Sequence, residues 1–161
     1  MTQQIEVSRF TTEFFDLLDE TFENHHGIYL DKDTSLFTTL AGVNAVEASQ
    51  PVGGKCASIA AQVAHVTFYL EVLERYIQEK GVGDVDWGEI WRTVKEVTPE
   101  EWDSPKHQLQ QTYQRVLAML KGDVDWGGET AIGGALAIVV HTAYHLGEIR
   151  QALCTVKQPP L

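Results

Sequence analysis

The sequence predicts an all-α protein, a four-helix bundle folded as a single domain over residues 1–161. Three observations predict it. Four long segments repeat apolar residues at three- and four-residue steps, as helices with one buried face do. No segment sustains the period-two alternation of a half-buried strand. Between the four segments stand the residues that stop and start helices, among them glycines, prolines and a Thr-Pro-Glu-Glu capping sequence. The chain has 161 residues, 43% hydrophobic and 22% charged, a globular composition. At that length roughly 70% of the unfolded surface is buried on folding. The fold therefore stands without a disulfide or a structural metal, and any metal must be there for function.

The first helix is expected over Val7 to Asn24, with Phe10, Phe14, Leu17, Leu18, Thr21 and Phe22 on one side and Glu13, Asp16, Asp19, Glu20 and Glu23 mostly elsewhere. Gly27 supplies a stop, with His25 and His26 in the last turn, where imidazolium complements the helix dipole. A loop with a weak helical stretch follows, closed by Pro51, Gly53 and Gly54. The second helix, Lys55 to Glu79, sets Ile59, Val63, Val66, Leu70, Leu73 and Ile77 on one stripe. Ala61, His65, Phe68 and Val72 form a neighbouring stripe, and Gly81 and Gly83 end the helix. The next connection holds two start signals, Asp86 with Glu89 and the capping box Thr98-Pro99-Glu100-Glu101. The third long helix is placed from Ser104-Pro105 to Gly122, with Leu109, Tyr113, Val116, Leu117 and Leu120 inward. The fourth, Thr130 to Val156, is apolar almost all round up to Val140 and is expected to be the most buried. The tail Gln158-Pro159-Pro160-Leu161 cannot continue it.

One hexapeptide, Gly-Asp-Val-Asp-Trp-Gly, occurs at 83–88 and again at 122–127, each time between two helices. Its composition suits chain reversal, with Gly as C-cap, Asp as N-cap and Trp anchoring the loop. The net charge of −11 speaks against a nucleic-acid or anionic-membrane binder, both of which need clustered Lys and Arg. Two distant cysteines, Cys56 and Cys154, form no CxxC and fit a reducing cytoplasm. The start MTQQIEVSRF lacks the features of a signal peptide. The most apolar stretch, Ala131 to Val140, is followed at once by His141 and is too short to span a bilayer. The expected setting is soluble and cytoplasmic.

The cluster that carries chemistry is His65 on the second helix with His141 and His145 on the fourth. The last two are four residues apart, so they project from one helix face and can offer two imidazoles to one metal ion. Two histidines leave a divalent ion short of ligands, and His65, on an inward stripe, is the candidate third. If the two helices are antiparallel, the end near Glu79 lies level with the start near Thr130. A rise of ~1.5 Å per residue then puts His65 ~21 Å, His141 ~17 Å and His145 ~23 Å from that end. The three fall at one level. The alternative is three core histidines hydrogen-bonded to their neighbours, and spacing alone does not choose between the two.

The run His141-Thr-Ala-Tyr144-His145-Leu146-Gly147-Glu148-Ile149-Arg150-Gln151 resembles the C-terminal helix signature of the DinB/YfiT-like four-helix-bundle proteins. Ser58 to His65 resembles that family's second helix with its single histidine, and Asp86-Trp87-Gly88 with Glu101-Trp102 is similar to its linker. The resemblance covers essentially the whole chain, most strongly in the fourth helix. It implies an up-down-down-up bundle whose long connection between helices two and three makes the crossover. It implies one divalent metal ion, zinc, nickel or iron, on His65, His141 and His145, with open positions for water or substrate. It implies a metal-dependent transferase acting on a low-molecular-weight thiol and an electrophilic small molecule, and commonly a homodimer. A thiol entering an open position would lose its proton and become a nucleophile; a water could equally be activated for hydrolysis. The alternative is a non-catalytic metal-binding or oligomer-forming bundle linked to stress. The family's name reflects damage-inducible expression and implies no DNA binding.

Glu148, three residues after His145, shares its side of the helix and can accept an imidazole N–H; a solvated or ion-paired carboxylate is the commoner fate of a helix-surface Glu. Tyr144 and Tyr69 flank the proposed site, and core packing with a satisfied hydroxyl is the commoner role for both. Arg150 is expected to pair with a carboxylate, and Cys56 to be a small buried residue. His25 and His26 point about 100° apart on a helix and make a poor metal pair, and His107 is expected to be exposed. The two Glu-x-x-His pairs that a di-iron centre needs do not occur, nor does a zincin motif, a phosphate-binding loop or a nucleophile elbow.

Overall fold

The computed structural model describes residues 4–54, 56–122 and 124–157. The expected helix start at Lys55, the Asp123 of the second hexapeptide and the tail from Gln158 lie outside the described residues. The fold is all-helical, with no strand among the described residues. Its helices are α1 (Val7–Phe22), α2 (Leu36–Ala41), α3 (Ala45–Ser49), α4 (Ile59–Ile77), α5 (Glu89–Thr93), α6 (Pro99–Gly122) and α7 (Ala131–Val156).

α1 ends at Phe22, before the expected boundary, because a buried carboxylate turns the chain. Glu20, assigned by pattern to the polar side, is fully buried. Its oxygens accept N–H groups from His26 (3.3 Å), Gly27 (2.8 Å), Ile28 (3.0 Å) and Tyr29 (3.0 Å). His25 and His26 thus lie beyond the helix, and His26 Nε2 pairs with Asp19 at 2.5 Å. The weak helical stretch resolves into α2 and α3, the latter started by a capping box between Asn44 and Glu47. α4 begins at Ile59, where the Ser58 hydroxyl accepts the Ala61 N–H at 3.2 Å.

α6 starts at Pro99, earlier than Ser104-Pro105. The capping box at Thr98 forms: Thr98 Oγ1 accepts from Glu101 N at 3.3 Å, and Glu101 Oε2 accepts from Thr98 N at 2.8 Å. Trp102, 2% exposed, fixes this first turn by donating its indole N–H to Val43 O at 2.7 Å. Pro105 therefore sits inside the helix, where it forgoes one backbone bond near the N-terminal end.

α4 is the hub, packing most extensively on α6 and α7. Twelve of its 19 residues are buried, against ten of 26 in α7. The expectation that the fourth helix is the most buried is thus corrected: Ile132, Leu136, Val140 and Tyr144 form an exposed stripe along α7. By length and composition α7 is also apolar enough to cross a membrane; 44% of its most apolar window is buried within the fold. α4 and α7 run antiparallel, since Thr130 Oγ1 donates to Ile77 O at 3.3 Å near one end and Gln62 meets His145 at the other. Close approach there needs Gly134, because a Cβ at that position would stand 2.5 Å from Ile77 Cγ1.

In both hexapeptides the second Asp makes the same turn, with Asp86 accepting from Gly88 N (3.0 Å) and Asp125 from Gly127 N (2.9 Å). This corrects the expectation that Asp is a helix N-cap: α5 starts after Gly88 and α7 after Thr130. The tryptophans differ. Trp126 packs among Phe10, Phe14 and Phe15, whereas Trp87 stays 46% exposed against Phe68 and Tyr69.

Candidate metal centre

His65 is carried into the interior by the apolar stripe of α4, and His141 and His145 by the face of α7 that meets it. Their ring centroids are 5.1 Å (His65–His141), 4.9 Å (His65–His145) and 4.5 Å (His141–His145) apart. One nitrogen from each ring lies within 4.8 Å of the others, close enough for one metal ion. His65 and His145 are buried and His141 is half-buried.

Burial sets the chemistry of the rings. Desolvation, with repulsion from His145, holds His65 down at about 4. Desolvation, with repulsion from His145 and His65, does the same to His141, also at about 4. His145 is lowered too, since desolvation outweighs the pull of Glu148. All three are therefore neutral at pH 7, the form that ligates metal. Two of their buried nitrogens, Nδ1 of His65 and Nε2 of His141, have no hydrogen-bond partner among the described residues. Core histidines satisfied by neighbours would not leave such atoms. The donor set fits a divalent ion of borderline softness. No further His, Cys, Asp or Glu joins the group among the described residues, which leaves coordination positions for an exogenous ligand.

Glu148 is neither free nor ion-paired to a cation on the surface. Its Oε2 accepts from Gln62 Nε2 and His145 Nδ1, both at 3.0 Å, and its Oε1 accepts the Tyr144 hydroxyl at 2.7 Å. Partial burial works against its ionisation, but these bonds outweigh it and hold its pKa below the ordinary carboxylate value. Tyr144 is 61% exposed, so core packing is not its role. Tyr69 stacks flat on His141, with centroids 3.5 Å apart. Arg150 makes no ion pair among the described residues, Cys56 is exposed rather than buried, and His107 is exposed as expected.

Two residues of the site escaped the sequence reading. Gln62 precedes His65 by three, a spacing that shares a helix face and was legible in principle. Trp91, on the short α5 of the long connection, covers His65 with centroids 4.3 Å apart; no local pattern announces it. An open cleft of about 780 Å³ adjoins the centre, bounded by Trp91, Tyr144, Glu148, Gln62 and Cys56, and His145 is the member of the trio that lines it.

No protein-family model, curated protein or solved structure matches this chain, so its assignment rests on its own residues.

Proposed function

We propose that this chain is a DinB/YfiT-like protein that holds one divalent metal ion on His65, His141 and His145 and acts as a metal-dependent transferase joining a low-molecular-weight thiol to an electrophilic small molecule. The observation that carries the reading is the convergence of three neutral imidazoles, two of them with a buried nitrogen lacking a partner among the described residues. Zinc, nickel and iron all suit the donor set. The family resemblance adds the thiol. The cleft beside His145 favours catalysis over a closed structural site, which would be plugged by a fourth protein ligand.

When bound, a divalent ion supplies a positive charge that favours the thiolate of an entering thiol. The chain's own residues do the rest. His65, His141 and His145 add no charge and so leave that of the ion undiminished. Trp91 and Tyr144 give the cleft aromatic walls for the apolar part of a substrate. Glu148, held by Gln62 and Tyr144, keeps the hydrogen on Nδ1 of His145.

The long helices α1, α4, α6 and α7 are taken as an up-down-down-up bundle. Antiparallel contacts of α4 with α7 support this, as does the approach of α1 and α6 through Phe22 on Tyr113 and Phe15 under Lys121. A parallel α4–α6 pair is supported by Ser49, which bonds Val97 just before α6 and lines a cavity with Ser58 at the start of α4, and by Glu74 meeting Arg115 further along both helices. A cytoplasmic homodimer that binds neither nucleic acid nor membrane completes the reading. It is supported by the charge of −11, the free cysteines and the uncharged stripe Ile132–Leu136–Val140 on α7.

Elemental analysis of untagged protein purified without chelator tests the site, beside a folded His141→Ala/His145→Ala variant. About one metal ion per chain, lost in the variant, is expected for a three-histidine site. No metal in the wild type after reconstitution with zinc, nickel and ferrous iron would overturn the proposal.

A further inference from the structure

Gln62 is 8% exposed and uses both ends of its amide. Its Nε2 donates to Glu148 Oε2 at 3.0 Å, and its Oε1 accepts from Nδ1 of His145. Glu148 Oε2 stands 3.0 Å from the same Nδ1. An ionised carboxylate can only accept hydrogen bonds, so Gln62 must turn its NH2 toward Glu148. Its carbonyl is then what faces His145, and a carbonyl against Nδ1 requires the hydrogen to be there. A neutral ring with hydrogen on Nδ1 carries its lone pair on Nε2. His65 and His141 have no such clamp, since no hydrogen bond reaches their buried Nδ1 and Nε2 among the described residues.

The geometry points to Gln62 as a positioning residue of the metal centre: with Glu148 it locks His145 in the Nδ1–H tautomer, making Nε2 of His145 the one ligand atom prepared before an ion arrives. This rests on the metal reading above and adds to it a residue and an atom. The carboxylate sets the amide, the amide sets the imidazole, and the imidazole presents its lone pair. Outer partners of this kind typically change metal affinity by about 10–100-fold.

The test is made on the full chain with two readouts. Long-range proton–nitrogen spectra of the metal-free protein above neutral pH report which nitrogen of His145 is protonated. Competition with a chromophoric chelator reports zinc affinity. In the wild type, His145 is expected to carry its hydrogen on Nδ1. Gln62→Met, close in volume and unbranched, is expected to mix the tautomers and to weaken zinc binding by about 10–100-fold. The exchanged double variant Gln62→Glu/Glu148→Gln again presents an oxygen to Nδ1 and is expected to restore the tautomer and most of the affinity.

Zinc binding in a wild type whose His145 carries hydrogen on Nε2 would overturn the inference while leaving the metal site standing. So would a cooperatively folded Gln62→Met with unchanged tautomer and affinity. A wild type with the Nδ1–H tautomer but no zinc affinity would overturn the metal reading instead, and with it any role of Gln62 toward an ion.

Discussion

Nδ1 of His65 is buried without a partner among the described residues, and an unsatisfied buried polar atom costs about 1–3 kcal/mol. In the metal-free protein, His65→Leu is therefore expected to raise unfolding free energy by about 1 kcal/mol, measured by urea denaturation. The same substitution should weaken zinc binding by more than the roughly 10–100-fold that loss of an outer partner costs, because it removes a ligand. A metal-free variant less stable than the wild type would show that this nitrogen is satisfied in solution. Glu20 is the opposite case, a buried carboxylate with every contact made. Four backbone N–H groups gather on it, and Glu20→Ala would strand them; a loss of about 2 kcal/mol or more is expected by the same measurement. At this scale the convergence of the three histidines was legible, because spacing on a helix fixes direction. Glu20 was not, since nothing in an acidic stretch tells which carboxylate a following loop will wrap.

The approach of α7 to α4 is decided by one missing side chain. A Cβ on Gly134 would meet Ile77, whereas a Cβ on neighbouring Gly133 would meet nothing within 4 Å. Gly134→Val is expected to destabilise by about 2 kcal/mol through overpacking. Gly133→Ala is expected to stabilise by about 0.5–1 kcal/mol through helix propensity. Melting curves of the two variants check the contrast, and equal effects would refute the packing argument. Helix existence and type came through from apolar period alone in all four long segments. Boundaries did so less evenly. The start at Thr130 was placed correctly although Thr130 makes no side-chain capping bond. Ser58 caps α4 three residues beyond the expected start at Lys55, and Thr98 marked the real start of α6 although Pro105 made a later one look natural. A proline in the second turn of a helix resembles a proline at its first position until the anchoring of Trp102 is known.

Acid should act on the whole molecule through two sets of groups. His65 and His141 titrate near 4 when folded and near 6.5 when unfolded. Between those values the unfolded chain binds more protons, so the metal-free protein is expected to lose stability as pH falls from about 6.5 toward 4. Glu20 has a folded pKa below its ordinary 4.5: its burial is outweighed by its four backbone bonds. Its contribution is present above 4.5 and disappears as pH falls through the folded value. Denaturation midpoints across this range check both. A variant lacking His65 and His141 should lose most of the upper limb, keeping only the share of His145, and keep the lower one. For assembly, the stripe Ile132–Leu136–Val140 predicts light scattering at twice 18.0 kDa, and Leu136→Glu/Val140→Glu should return the single-chain mass. A monomeric wild type would refute the homodimer.

By itself the sequence determined the helical class, the four long helices and the identity of three histidines, because each depends on contacts within a few turns of one helix. Tertiary structure decided the rest. It selected α4 over α7 as the hub, since burial depends on how many neighbours surround a helix as well as on its own composition. It brought Gln62, 83 residues from His145 in sequence, onto the same nitrogen, and laid Trp91 from a loop helix over His65. The pairing of Gln62 with His145 exists only once α4 and α7 lie antiparallel at close range. That closeness follows from the space left by Gly134 against Ile77, a relation between two side chains that no local pattern contains.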